Sequence, residues 1–379
     1  MKLFYLSAQV LPLIGLVLGA PGPDPEAAAS KRINKLQDQY RKHIHDTIKP
    51  RKTGCTKKNI LERKEWGSLS KKDRLSYISA VHCLANLTAL TPPTAIPGAR
   101  TRYDDFVGSH ILQTLFVHAS GLFLPYHRYY VHLYETALRS ECNYRGAQPY
   151  WDWTLSYTNP HLSTVFDGSP YSLGSNGEYI PNREPIEVPI PNGPTLVFPP
   201  ATGGGCIASG PFTPDKFQIH LGPVGYEPQG PQGGLGYNPR CLTRDLSPAF
   251  SLDTRPTNVT KLLDGCADLG CFNLQLDTPG GVHGSGHFLM GTTALDVFAS
   301  PSDPVFWLHH AQVDRLWAIW QAQDAGRINE VWGTGTAGDF PPSPNVTLDT
   351  PINFGVISPP IKIRDAVSTI DGDLCYIYA

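Results

Sequence analysis

Apolar residues recur at helical spacing in four stretches of the chain, and everything between them is punctuated by proline and glycine. In the first, residues 59–90, Leu75, Ile78, Val81, His82 and Leu84 form a stripe, and Ser70 followed by Asp73 marks a helix start. Residues 103–118 carry Phe106, Val107, His110, Ile111, Thr114, Leu115 and His118 on one face, predicting a second helix. A glycine-containing loop over 119–124 then delivers Pro125, Tyr126 and His127, and 129–138 is again helical with aromatics facing inward. From Leu276 the periodicity returns through His283 and His287 to the stretch 302–317, S-D-P-V-F-W-L-H-H-A-Q-V-D-R-L-W. There Ser302 or Asp303 is placed to cap a helix and Pro304 suits its first turn. Adjacent His309 and His310 project about 100° apart on a helix, so they are not equivalent toward one metal. Asp314, one turn after His310, is placed either to orient an imidazole or to anchor the helix by an ion pair. Between about 154 and 264 long periodic runs are lacking, and the reading is loops wrapping the helices, with strands at 186–190 and 195–198. Further strand-like pieces lie at 361–363 and 374–378 in the tail.

Composition narrows this picture. The 379 residues are 41% hydrophobic and only 17% charged, with 36 glycines and 36 prolines, which predicts one globular domain with long ordered loops. A formal charge of -2 offers no excess of cations for phosphates and excludes nucleic acid as the expected partner. Residues 1–20, one lysine followed by an apolar run ending in Leu-Gly-Ala, read as a secretory signal peptide, and no membrane partner is expected after its removal. Residues 21–32, ending in Lys31-Arg32, are a candidate propeptide, leaving 33–379 as the single folded domain. Eight cysteines fit an oxidising compartment and up to four disulfides, with 105 pairings open. Sequons at Asn86, Asn258 and Asn345 suit a secreted, extracellular glycoprotein.

The histidines carry the chemistry. Of thirteen, His110, His118 and His127 are spaced by 8 and 9, while His283 and His287 are spaced by 4, with His309-His310 one element later. The i, i+4 pair places two imidazoles on one helix face, and Gly284, Ser285 and Gly286 between them leave no H-E-x-x-H. Two imidazole triads without carboxylate or thiolate predict a pair of nitrogen-only metal sites; imidazole alone suits copper, zinc, iron or nickel. The remaining His43, His45, His82, His132, His161 and His220 are expected in core or surface roles.

H-x7-H-x8-H, the F-L-P-Y-H-R-Y-Y and P-Y-W-D-W blocks, H-x3-H and D-P-V-F-W-L-H-H-A-Q-V-D-R-L-W together resemble the type 3 copper proteins, specifically the secreted short fungal tyrosinases and catechol oxidases. The likeness runs from about Cys55 to Tyr378. It implies a mainly α fold, a four-helix bundle core holding two copper ions, with long Pro/Gly-rich loops and a few short strands. It implies that His110, His118 and His127 bind the first copper and His283, His287 and His310 the second, with O2 as co-substrate and phenols or catechols as substrates. Phe306 and Asp314 are implied as supports of the second site. Where hydroxylating relatives hold a water with a glutamate and an asparagine, this chain has Gln275 and Gly284. Val297 resembles the gate position, and Phe288 is a further activity-tuning candidate. Phe116-Val117 stand before His118 where some fungal relatives carry a thioether cysteine, so no thioether is expected, and the chain ends without the lid domain of latent relatives. The expectation is oxidation of o-diphenols to o-quinones with O2 reduced to water and weaker ortho-hydroxylation of monophenols. The alternatives are a tyrosinase with full monophenol hydroxylase activity and a hemocyanin-like O2 carrier; a binuclear zinc hydrolase is disfavoured because no acidic group accompanies the triads.

Overall fold

The computed structural model describes residues 24–48, 54–189 and 194–379; the expected signal peptide and residues 21–23 lie outside them. The fold is mainly helical, as the periodicity predicts. In chain order the helices are α1 (Pro25–Thr47), α2 (Lys71–Leu84), α3 (Arg102–Val117), α4 (Phe123–Glu141), the single turn α5 (Pro248–Ser251), α6 (Pro256–Gly265), α7 (Leu269–Asp277), α8 (Val282–Met290) and α9 (Val305–Gln321). Helices α3, α4, α8 and α9 pack around the centre, and α9 is buried along its whole length.

Boundaries shift for identifiable reasons. The helix expected over 59–90 begins only at Lys71, where the Ser70 side chain accepts from the Asp73 N–H. Before it, β1 (Leu61–Arg63) pairs in parallel with β8 (Tyr376–Tyr378). Helix α3 starts with a reciprocal capping box between Thr101 and Asp104 and stops at His118, which is extended at φ -119°, ψ 151°. Helix α4 starts six residues before the expected 129, because Pro125 falls in the first turn, where a missing N–H costs nothing. At α9 the boundary residue is Pro304; the Asp303 carboxylate accepts from the Val305 N–H at 2.9 Å and is forked by the buried Arg244 at 2.7 Å, while the Ser302 hydroxyl has no partner.

The stretch 154–264 is mostly loop, with β2 (Gly177–Tyr179) paired to β5 (Gly204–Ile207) and an antiparallel hairpin of β3 (Ile186–Pro189) and β4 (Thr195–Phe198). Ile190 lies outside the described residues, and α5 and α6 close the stretch with helix it was not expected to hold. In the tail, β6 (Pro351–Ile352) pairs with β7 (Ile361–Lys362). All eight cysteines are bridged, as 55–375, 83–142, 206–241 and 266–271. The first ties the loop ahead of β1 to the residue before β8, closing 320 residues and constraining the unfolded chain most. The Lys31-Arg32 pair lies inside α1, where Arg32 forks Asp264 at 2.7 and 2.9 Å. No described helix is long and apolar enough to cross a membrane.

Candidate metal centre

Four helices converge on the centre. Helix α3 supplies His110 and, at its frayed end, His118; α4 supplies His127; α8 supplies His283 and His287; α9 supplies His309 and His310. The first three group with ring centroids 4.9 to 5.7 Å apart. His283, His287 and His310 group at 4.9 to 5.4 Å. The groups face each other through His127 and His310, stacked at 4.2 Å, and Phe306 wedges between them, 4.2 Å from His310 and 5.3 Å from His110. Phe123, which sequence reasoning missed, fills the opposite side, 4.7 Å from His283 and 4.9 Å from His127.

Hydrogen bonding sets the tautomers of the first triad. The Nδ1 atoms of His110, His118 and His127 lie 2.7, 3.1 and 2.8 Å from the carbonyls of Phe298, Thr114 and Phe123. A carbonyl only accepts, so each Nδ1 carries the proton and each Nε2 keeps its lone pair. The Nε2 atoms of His110 and His127 are buried without a partner. Buried acceptors left unpaired are costly unless something occupies them, and a metal ion is the occupant these nitrogens fit. In the second group, His287 Nε2 lies 3.3 Å from His310 Nε2, a spacing suited to two nitrogens each about 2 Å from one ion.

His309 also lies within metal-binding distance of this group. Its Nδ1, however, accepts the indole N–H of Trp153 at 3.0 Å. The neutral ring must then carry its proton on Nε2 and has no lone pair left to offer. A Cβ on Gly286 would overlap the His309 ring, which accounts for the glycine between the two α8 histidines.

Burial holds His110, His127, His287 and His310 well below the ordinary imidazole range, and neighbouring imidazoles add to it. Burial likewise pushes His118 down to about 4, against the nearby Asp277 charge. Five of the rings are therefore neutral, and able to ligate, at pH values where a free histidine is protonated.

A cavity of about 350 Å³ opens on His118, His283 and His287. Gly284, Phe288 and Val297 line it, as does the β3–β4 hairpin through Val188, Leu196 and Phe198. Val297 is 37% exposed at its rim, and Phe288 packs against Phe198 at 4.7 Å. Gln275 does not reach it: its side chain is exposed and contacts Cys271 Sγ, because α7 turns Phe272, Asn273 and Leu276 inward instead. The carboxylate at the cavity is Asp277, the last residue of α7. A signal for it exists in the sequence, since it is the one acid between Asp268 and His283. Asp314 touches none of the histidines; it accepts from Arg128, Arg63, Tyr376 and Tyr378, the anchoring role of the two open to it. The core and surface histidines do other work: His82 stacks on Phe212 at 4.9 Å and His220 lies 2.8 Å from Asp104.

A family model, the common central domain of tyrosinase, matches residues 100–323. Tyrosinase P of Aspergillus terreus is 40% identical over 327 residues, 83% of this chain and 91% of its own. N-acetyl-6-hydroxytryptophan oxidase of Emericella nidulans is 40% identical over 348 residues, 86% and 93% of the two chains. A glycine-to-asparagine variant of the polyphenol oxidase from Thermothelomyces thermophila superposes with a TM-score of 0.85 at 41% identity, covering 92% of this chain and 98% of the other. With its two buried imidazole groups, one beside the other in a helical core, the chain belongs to the tyrosinase family of binuclear type 3 copper oxidoreductases.

Proposed function

We propose that this enzyme oxidises o-diphenols to o-quinones, with monophenol hydroxylation as a weaker activity, and that His110, His118 and His127 hold one copper while His283, His287 and His310 hold the other. The observation that carries the reading is the cavity ending on imidazoles of both triads, walled by apolar side chains and lacking a free base. Asp277 is tied by its Oδ2, which accepts the Ala119 N–H at 2.7 Å, and its Oδ1 faces His283 Nδ1 at 3.0 Å. Gly284 offers no side chain to hold a water against it. A monophenol must lose its proton before it is hydroxylated, and nothing in this wall is arranged to take it. Secretion, with glycans at Asn86, Asn258 and Asn345, accords with the four disulfides.

The copper pair supplies the redox chemistry, two catechols each giving up two electrons and two protons while one O2 becomes two waters. The chain's part is orientation and exclusion of water. Backbone carbonyls fix the first triad's rings, Phe306 and Phe123 fill the space around both triads, and Phe288, Val297 and the hairpin present an apolar wall to a phenyl ring.

Initial rates on tyrosine and on 4-tert-butylcatechol test this reading. The catechol is expected to be oxidised at least roughly tenfold faster and without a lag, an advantage of about 1.4 kcal/mol in barrier. Equal rates would overturn the preference, and O2 binding without quinone would overturn the oxidase itself. Gly284→Asn is expected to raise the tyrosine rate relative to the catechol rate several-fold. Its Cβ meets Thr278 O at 3.1 Å and Pro279 O at 3.4 Å, both in an exposed turn able to yield by tenths of an ångström. An unchanged ratio in a fully copper-loaded variant removes the argument from Gly284.

The lowered imidazoles also set the acid limit. Ordinary histidines would surrender a metal below about pH 6. In the first triad protons compete only toward the pH 4 of His118 or below it, so dialysis at pH 5 is expected to leave the first copper in place. The copper-free protein behaves in the opposite sense. Between about 6.5 and 4 the unfolded chain binds protons that the folded one refuses, so stability is full above 6.5 and lost as pH falls through that window. Metal analysis after dialysis checks the first statement; the melting temperature of copper-free protein between pH 7 and 4.5 checks the second, and a flat profile contradicts it.

A further inference from the structure

We infer that Asp277 is a positioning residue that couples the two copper sites, holding the first ligand of one and the turn behind the second ligand of the other through the two oxygens of one carboxylate. The inference rests on the ligand sets proposed above.

Asp277 ends α7 where Thr278, Pro279 and two glycines break the chain before α8. Its Oδ2 accepts the N–H of Ala119 at 2.7 Å. Ala119 directly follows His118 and is left-handed at φ 45°, a conformation that a residue with a Cβ holds only when its surroundings impose it. The other face of the same residue is clamped as well, its carbonyl accepting the Gly338 N–H at 2.9 Å. The His118 turn is thus gripped from both sides, and Asp277 is one of the grips.

The second oxygen lies 3.0 Å from His283 Nδ1, close but without the alignment of a hydrogen bond. A rotation of the imidazole brings its N–H onto this oxygen. That rotation fixes the proton on Nδ1 and leaves the Nε2 lone pair for a metal, the arrangement in which a carboxylate orients a ligating imidazole. In the first triad backbone carbonyls perform this service, and His283 has no such carbonyl, both its nitrogens lacking a hydrogen-bond partner. Asp277 therefore substitutes on His283 for what the backbone supplies to His110, His118 and His127. It also lines the catalytic cavity and the neighbouring groove under Trp332, so the wall between them is built on this side chain.

The test uses full-length protein with Asp277→Ala, Asp277→Asn and, as a control on the same helix, Gln275→Ala. The readouts are copper bound per chain against a graded chelator, the melting temperature of the copper-free form, and kcat and KM for 4-tert-butylcatechol. Asp277→Ala is expected to bind its weaker copper roughly 10- to 100-fold less tightly, the usual cost of losing an orienting partner. Asp277→Asn has one acceptor oxygen for two donors and is expected to fall between Asp277→Ala and wild type, with kcat falling more than KM rises. Gln275→Ala is expected to match wild type. Copper affinity within about twofold of wild type in both Asp277 variants overturns the inference, whatever happens to their stability. A lowered melting temperature with normal copper affinity also overturns it, since that marks a purely structural carboxylate. Should wild-type protein take up no copper in the same titration, the ligand assignment itself fails, and the two failures are distinguishable.

Discussion

Replacing His310 by alanine is expected to release one of the two coppers and to lower catechol turnover by on the order of a thousandfold or more, because neither metal of a pair acts alone in the two-electron step. His309→Asn is expected to retain both coppers. The contrast is sharp because the two residues are neighbours on one buried helix, both within metal-binding distance of His283 and His287. What separates them is a single hydrogen bond: the Trp153 indole donates to His309 Nδ1 and commits that ring to a tautomer without a free lone pair. No indole reaches His310, whose Nε2 instead faces that of His287 at 3.3 Å and whose Nδ1 is buried without a partner. Asparagine at 309 keeps an acceptor for Trp153 close to where Nδ1 now sits, so the variant reports on ligation rather than on a buried donor left unpaired. Metal content per chain and the O2-dependent absorption of the loaded protein decide the matter. If His309→Asn loses a copper while His310→Ala keeps two, the second site belongs to His309.

Much of this centre is legible in the sequence because most of its candidate ligands lie on helices whose periodicity is strong. His110 on α3 and His283 and His287 one turn apart on α8 follow from spacing. Helical position alone could not separate His309 from His310, since the distinction depends on Trp153, 156 residues earlier in the chain. Gln275 illustrates the opposite error. Counting back from His283 places it beside the cavity, yet α7 ends at Asp277 and a four-residue break lies between, so no helical register carries through. The hairpin of β3 and β4 was visible as two strands, but nothing local says that it closes the cavity; that follows from packing of Phe198 on Phe288, across 90 residues of mostly irregular chain. Asp314 is a similar case. Its position one turn beyond His310 suggested two roles, and the partners that choose between them come from α4, β1 and β8.

Those partners make Asp314 the residue whose loss should cost the most stability. Its Oδ1 takes the Arg128 Nε–H at 2.5 Å, and its Oδ2 takes the hydroxyls of Tyr376 and Tyr378 at 2.5 and 2.6 Å, with Arg63 at 3.5 Å. Arg63 is paired in turn with Glu135 at 2.5 Å, so two cations and two anions share a site from which water is excluded. Burial and the Asp314 charge raise both tyrosines well above the ordinary phenol range, which keeps them neutral donors to it. Asp314→Ala leaves an uncompensated buried positive charge, an Arg128 N–H without its acceptor, and the Tyr376 and Tyr378 hydroxyls without theirs. Breaking a buried pair from one side typically costs about 3–5 kcal/mol. For a chain of this size that is expected to lower the melting temperature of the copper-free protein by on the order of 4–7 °C. The effect should reach the metal as well. Arg128 follows His127 on α4, and Asp314 lies one turn past His310 on α9, so the same ion pair staples the two helices whose imidazoles stack at 4.2 Å across the copper pair. Asp314→Asn retains acceptor oxygen for the tyrosines but not the charge, and is expected to recover less than half of the loss. Denaturant unfolding of copper-free wild type and both variants measures this. A cost below about 1 kcal/mol for Asp314→Ala would show that the arginines find other partners in the folded protein, and that the helices of the copper site are held together by packing alone.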